Sequence, residues 1–168
     1  MNNSALIEQI LHTWRVNNAI DLELLKVIPA QGFRAVPLAS RGRTVADQFA
    51  HMNNVRVGWL THNKVKLGKG GKRFRSSKNR PAPGRAELVA SFRSSGAAVE
   101  AFVREKLEVG GEVRMFKGKP VRWLGYLISH ESHHRGQILL ALKQNGLRLP
   151  EKVALGTLWG AWIWGKVK

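Results

Sequence analysis

Apolar residues recur at steps of three and four through most of the chain, and Gly, Pro and Asn breakers divide them into four helical stretches. The first runs from about Ser4 to Ile28. Its stripe is Leu6, Ile7, Ile10, Leu11, Trp14, Leu22, Leu25 and Ile28, interrupted midway by Asn17 and Asn18 and closed by Pro29 and Gly32. The second opens at Thr44-Val45-Ala46-Asp47, the side-chain order of a capping box with Asp in place of Glu or Gln, and continues through Trp59 and Leu60. On a helical wheel Val45, Phe49, Met52, Arg56 and Trp59 share its inner face, and His51 lies roughly 100° from the centre of that face, beside Gln48 and Val55. The third carries Leu88, Phe92, Val99, Phe102 and Val103 and ends before Gly110-Gly111. A turn or small hairpin over 112–119 leads to Pro120, which suits the first turn of a fourth helix closed by Gly146. Four stripes of comparable length are all buried in an antiparallel bundle, so the expected fold is all-α, a single domain over residues 1–168.

Two stretches fall outside the four helices. Residues 64–85 are Gly, Ser, Pro and nine basic residues without one acid, which predicts a long exposed loop between helices two and three. At the other end, Leu158-Trp159-Gly160-Ala161-Trp162-Ile163-Trp164 is a short Trp-rich segment, expected as a packed cap or a dimer surface. No run approaches the ~20 apolar residues of a membrane-spanning helix, and Met1-Asn2-Asn3-Ser4 lacks the layout of a secretory signal, so the expectation is a cytoplasmic protein with no membrane partner.

Composition then narrows the chemistry. The 168 residues include no cysteine, which excludes a disulfide framework, a thiolate nucleophile, a zinc ribbon and an iron–sulfur cluster. Lys and Arg number 28 against 11 Asp and Glu, a formal charge of +17 that admits nucleic acid, anionic lipid or an acidic small molecule as partner without choosing among them. The basic loop has a single aromatic, Phe74, and so resembles a phosphate-contacting segment more than a base-reading one; a solvated loop is the plainer reading. Nonspecific nucleic-acid binding through it stands as the alternative function.

The sharpest local signal is His130-Glu131-Ser132-His133-His134-Arg135-Gly136-Gln137 in the fourth helix. His130 and His134, at i and i+4, stack on one face, close enough for both imidazoles to reach one metal ion. His51 is the best placed of the other histidines to add a third ligand and leave one position for water. His130 with His133, at i and i+3, is an alternative pair, and packed or solvated histidines are the bland reading of all of them. His12 and His62 fall near helix ends and read as solvated or packed. Glu131 sits about 100° around the helix from His130, a weak general-base candidate better suited to a salt bridge or to orienting a histidine. Tyr126, one turn before His130, could line the cavity and donate a hydrogen bond. For Gln48, Arg56, Arg135 and Gln137, packing is the leading reading.

Trp14 with Asn17-Asn18, then Thr44 to His51, then the His-x-x-x-His-x-Gly-Gln run from His130 to Gln137 together resemble the DinB-like family, the DinB/YfiT-like metalloenzymes, over roughly residues 5–149. The resemblance implies a four-helix bundle, often a homodimer, in which His51, His130 and His134 hold a divalent ion, nickel or zinc. Related members include thiol S-transferases and isomerases that use a low-molecular-weight thiol, and fold alone does not decide the reaction. The family name refers to DNA-damage induction, which concerns expression rather than contact chemistry. Three neutral imidazoles leave the ion's charge uncompensated, so a water could ionise near neutral pH or a thiol could bind as thiolate. A transferase or a hydrolase acting on a small, anionic molecule follows as the expected function, with a non-catalytic metal-binding bundle as a further alternative beside nucleic-acid binding. The basic loop and His133 depart from the family pattern.

Overall fold

The computed structural model describes residues 3–38, 42–75 and 82–165, and among them it is all helical. The helices are α1 (Asn3–Val27), α2 (Val45–His62), α3 (Arg85–Glu108) and α4 (Pro120–Gln144), as the spacing predicts. A 3-10 turn, Ala30–Arg34, follows α1, and another, Phe116–Gly118, precedes α4. The Trp-rich end is helical, with Glu151–Val153, a wide π turn over Ala154–Trp159, and Gly160–Trp164, and it packs on the core through Leu158 and Ala161. Lys78 and Arg80 of the basic loop lie outside the described residues.

Local chemistry sets the helix starts. The Thr44 side chain accepts from the Asp47 N–H at 3.1 Å and starts α2. Asp47, one methylene shorter than Glu, takes the Thr44 hydroxyl at 2.6 Å. At α3 the longer Glu87 does reach back, accepting from the Gly84 N–H at 3.1 Å.

Cross-helix contacts give the topology. Glu8 and Arg15 on α1 meet Arg104 and Glu100 on α3, whereas Lys26, at the other end of α1, meets Arg85, so α1 and α3 are antiparallel. Gln48 meets Gln137, Arg56 meets Glu131 and Trp59 meets Tyr126, so α2 and α4 are antiparallel as well. Asn17 and Asp21 meet Glu131 and Arg135 in the same order, which makes α1 parallel to α4. It follows that α2 and α3 run the same way. The bundle is thus built of two antiparallel pairs, and the long 63–84 connection exists because consecutive parallel helices need a crossover the length of the bundle.

The core is in two parts. Leu24, Leu25, Phe49, Phe92, Ile138 and Leu142 fill one end, and Leu11, Trp14, Val99, Phe102, Trp123 and Leu127 fill the other. Between them lies a layer of fully buried polar side chains, Asn17, Asp21, Arg56 and Glu131. That layer is why Asn17-Asn18 interrupts the apolar stripe of α1. Among the described residues no helix is long and apolar enough to cross a membrane.

Candidate metal centre

The polar layer is an ion cluster. Arg56 Nε donates to Glu131 Oε1 at 2.5 Å, and its Nη2 donates to Glu131 Oε2 and Asp21 Oδ2, both at 2.8 Å. Its Nη1 reaches Asn18 Oδ1 at 2.6 Å, and Arg135 Nη1 donates to Asp21 Oδ1 at 2.9 Å. The guanidinium is sandwiched between the Trp14 and Phe92 rings, 4.7 and 4.5 Å from their centroids. Trp14 is itself pinned by its Nε1–H, which donates to Gly96 O at 2.9 Å. Burial pushes the Asp21 carboxyl up to about 7 against the pull of Arg135 and Arg56. Burial acts the same way on Glu131, but the Arg56 guanidinium outweighs it and keeps that carboxyl below its usual range.

His51, His130 and His134 come together at the level of this layer, on the facing sides of α2 and α4. His130 Nε2 lies 3.3 Å from His51 Nε2 and 3.2 Å from His134 Nε2. One ligand atom from each of the three falls within 4.8 Å of the others. Zinc–nitrogen bonds of about 2.0–2.1 Å in tetrahedral geometry place neighbouring ligand nitrogens about 3.3–3.4 Å apart. The spacing of the Nε2 atoms therefore fits a small divalent ion, and the donor set is one that nickel and zinc both accept.

A directed chain of hydrogen bonds orients His134. Its Nδ1 lies 2.7 Å from Gln48 Oε1 and 3.2 Å from Gln137 Oε1, both of which can only accept, so Nδ1 carries the proton and Nε2 keeps its lone pair. Gln48 Nε2 donates to Gln137 Oε1 at 2.9 Å, and Gln137 Nε2 lies 2.8 Å from His133 Nε2. His133 thus ends this chain on the exposed side, and of the two pairings open in the sequence it is His130 with His134 that converges on His51. His130 is oriented differently. Its buried Nδ1 has no partner, and its ring stacks on Tyr126 with centroids 5.8 Å apart and planes 28° apart.

The histidines are poised as neutral ligands. Burial and then the His134 charge lower His130 to about 4, and burial and then His51 lower His134 to about 4. Burial, Arg43 and His130 lower His51. The cationic Arg43 acts on all three, so an anion near the site is favoured on charge grounds.

Of the other residues singled out in the sequence, Glu131 has its carboxylate engaged by Arg56 and by Asn17 Nδ2, with no exposure to solvent. Tyr126 is 38% exposed, and its hydroxyl makes no hydrogen bond among the described residues. His62 is exposed at the end of α2, its ring against Trp59. Asp21, the partner of both arginines, was legible only as an acid within an apolar stripe. Sequence spacing gave no sign of Phe116, which a turn outside the helices brings onto Trp59 and Tyr126.

The family model described as the DinB family matches residues 1–166. No curated protein matches the chain.

Proposed function

Because the chain belongs to the DinB family, we propose that His51, His130 and His134 hold one divalent ion, nickel or zinc, and that the protein is a metal-dependent thiol S-transferase or hydrolase. The observation that carries this reading is the convergence of three Nε2 atoms, with neighbours 3.2 and 3.3 Å apart, on side chains whose burial keeps them neutral. An ion there would supply Lewis acidity, lowering the pKa of a water or thiol that reaches it. The chain has no cysteine, so a thiol has to arrive as a low-molecular-weight cosubstrate.

The protein's own groups divide the remaining work. Gln48 fixes the tautomer of His134, and the Tyr126 ring fixes the plane of His130. Tyr126 also presents a hydroxyl with no protein partner among the described residues, free to hydrogen-bond a substrate. Glu131 acts as a positioning residue, anchoring α4 to α1 and α2 through Asn17 and Arg56 beside the ligand it follows in sequence. Arg43 favours an anionic substrate.

The test is elemental analysis of untagged protein, wild type beside His51→Ala and His134→Ala, with melting temperature recorded for each. The expected result is one ion per chain in wild type and loss of the ion in both variants, which stay folded. A wild type that stays metal-free after loading with nickel and zinc would overturn the assignment.

Homodimerisation belongs to the same reading. Trp159, Ile163 and Trp164 are 63, 66 and 60% exposed on one short segment, more contiguous apolar surface than scattered single residues present. Sedimentation should give a dimer at micromolar concentration, converted to monomer by Trp159→Glu with Ile163→Glu.

A further inference from the structure

The metal centre is one end of a longer strip between α2 and α4. On α2 the strip is His51, Val55 and Trp59, at i, i+4 and i+8, and on α4 it is His134, His130 and Tyr126 at the same steps in reverse. The antiparallel register sets His51 against His134, with ring centroids 4.7 Å apart, and Trp59 against Tyr126 at 6.1 Å. The strip therefore passes from imidazoles to aromatic rings over about 12 Å of helix.

A third ring closes the aromatic end, and the backbone is strained to put it there. Phe116 lies edge-on to Trp59, centroids 4.9 Å apart at 72°, and 5.1 Å from Tyr126. It belongs to a left-handed turn in which Met115, Phe116 and Lys117 have φ of 64°, 51° and 53°. Three successive non-glycine residues at positive φ are rare and unfavourable, and such strain persists where the surrounding structure enforces it. The enforcing contacts are visible. Arg114 N donates to Asn63 Oδ1 at 2.8 Å, Val113 N donates to Gly118 O at 3.1 Å, and Gly118 at φ 75° leaves room for the Glu112 carboxylate, which a Cβ would meet at 2.9 Å. The turn sets Phe116 as a half-buried ring at the edge of the core, on a wall whose Tyr126 stacks on His130. The exposed charged residues next to Phe116 and Tyr126 in the chain are Arg114, Lys117, Lys119 and Arg122, with Glu112 the one acid between residues 112 and 126.

We propose that Trp59, Phe116 and Tyr126 form an aryl-binding subsite beside the metal centre, and that the ligand is a small molecule with a planar aromatic ring and an anionic, metal-binding headgroup. This rests on the metal reading above and adds the substrate class. The headgroup meets the ion and Arg43, and the ring lies against the wall. Phe116 is a specificity-determining residue that leaves the metal ligands untouched.

The experiment compares benzohydroxamic with acetohydroxamic acid, two chelators that bind a metal as the hydroxamate anion, share that headgroup and differ in the ring. Their binding to cobalt-loaded protein is followed by calorimetry and by the visible spectrum of the metal. Aromatic contacts of this kind predict that benzohydroxamate binds about tenfold tighter in wild type. In Phe116→Leu, which fills the space without a ring, and in Phe116→Ala, the preference should fall towards one while cobalt content and acetohydroxamate affinity stay at wild-type values. Equal affinities in wild type, or a preference that survives Phe116→Leu, overturn the aryl subsite and leave the metal reading standing. A protein that takes up no cobalt overturns both.

Discussion

At His134, Nδ1 faces two acceptors, Gln48 Oε1 at 2.7 Å and Gln137 Oε1 at 3.2 Å, and loss of the shorter bond should be felt at the metal. Loss of such an orienting bond typically lowers metal affinity about 10–100-fold. Gln48→Ala should therefore weaken zinc binding in a competition titration, towards the lower end of that range because Gln137 Oε1 still accepts from Nδ1 at 3.2 Å. The same residues give the metal-free protein a pH signature. His130 and His134 titrate at about 4 when folded against an ordinary value of 6.5, so the unfolded chain binds more protons between those limits. Stability from these two groups is complete above 6.5 and is lost as the pH falls towards 4. Asp21, raised from 3.8 to about 7, has the opposite sign, since its contribution is complete below 3.8 and is lost as the pH rises through 7. The difference between wild type and His130→Gln/His134→Gln isolates the histidine part. Melting curves should show wild type losing more stability than the variant from pH 6.5 to 4, and parallel curves would contradict the burial of the imidazoles.

Among the helices, the polar layer fixes how α1, α2 and α4 meet, because Arg56 has neutralising partners only when Asp21 and Glu131 arrive together. Removing one member of a buried ion pair leaves the other uncompensated, at a cost of about 3–5 kcal/mol. Arg56→Ala should lower chemical-denaturation stability by about that amount. Gly96 serves the α1–α3 contact. A Cβ there would lie 2.5 Å from Asn18 Oδ1, an atom that Arg56 Nη1 holds in place at 2.6 Å, so the amide cannot swing clear. Gly96→Ala gains about 1 kcal/mol of helix propensity, but overpacking of this kind costs about 1–3 kcal/mol. The expected outcome is a lower melting temperature, relieved in part by Asn18→Ala.

For the molecule as a whole, binding of an ion to the folded state alone couples metal to stability. At a free concentration about a thousandfold above Kd the gain is about 4 kcal/mol, so chelation should lower the melting temperature of wild type and leave His51→Ala where it was. The net charge of +17 is unevenly distributed, since Asp21 and Glu131 are buried and Glu8 and Glu100 pair with Arg15 and Arg104. The 64–75 stretch keeps most of its charge, with Lys72 paired to Glu87. Should nucleic acid be the partner, binding falls steeply with salt and with neutralisation of Lys69, Arg73 and Arg75, and is indifferent to chelation and to His51→Ala. A retention assay on duplex DNA across a salt series separates this from the metal-dependent reading.

The helices, the Thr44 cap of α2 and the His130–His134 pair were legible in the chain because they depend on residues three or four apart, within the reach of helical geometry, whereas the Gly84–Glu87 box of α3 was not read from it. His51 was legible as a histidine at the edge of a buried face, and its assignment to the metal drew on the family pattern. The direction of α3 relative to α2, the pairing of Arg56 with Asp21 and Glu131, the approach of His51 to the α4 histidines and the arrival of Phe116 on the aromatic wall were decided only in three dimensions. Those features join residues distant in the chain, 35 and 75 positions apart for the two Arg56 ion pairs, and local periodicity carries no information about which face meets which until the bundle closes.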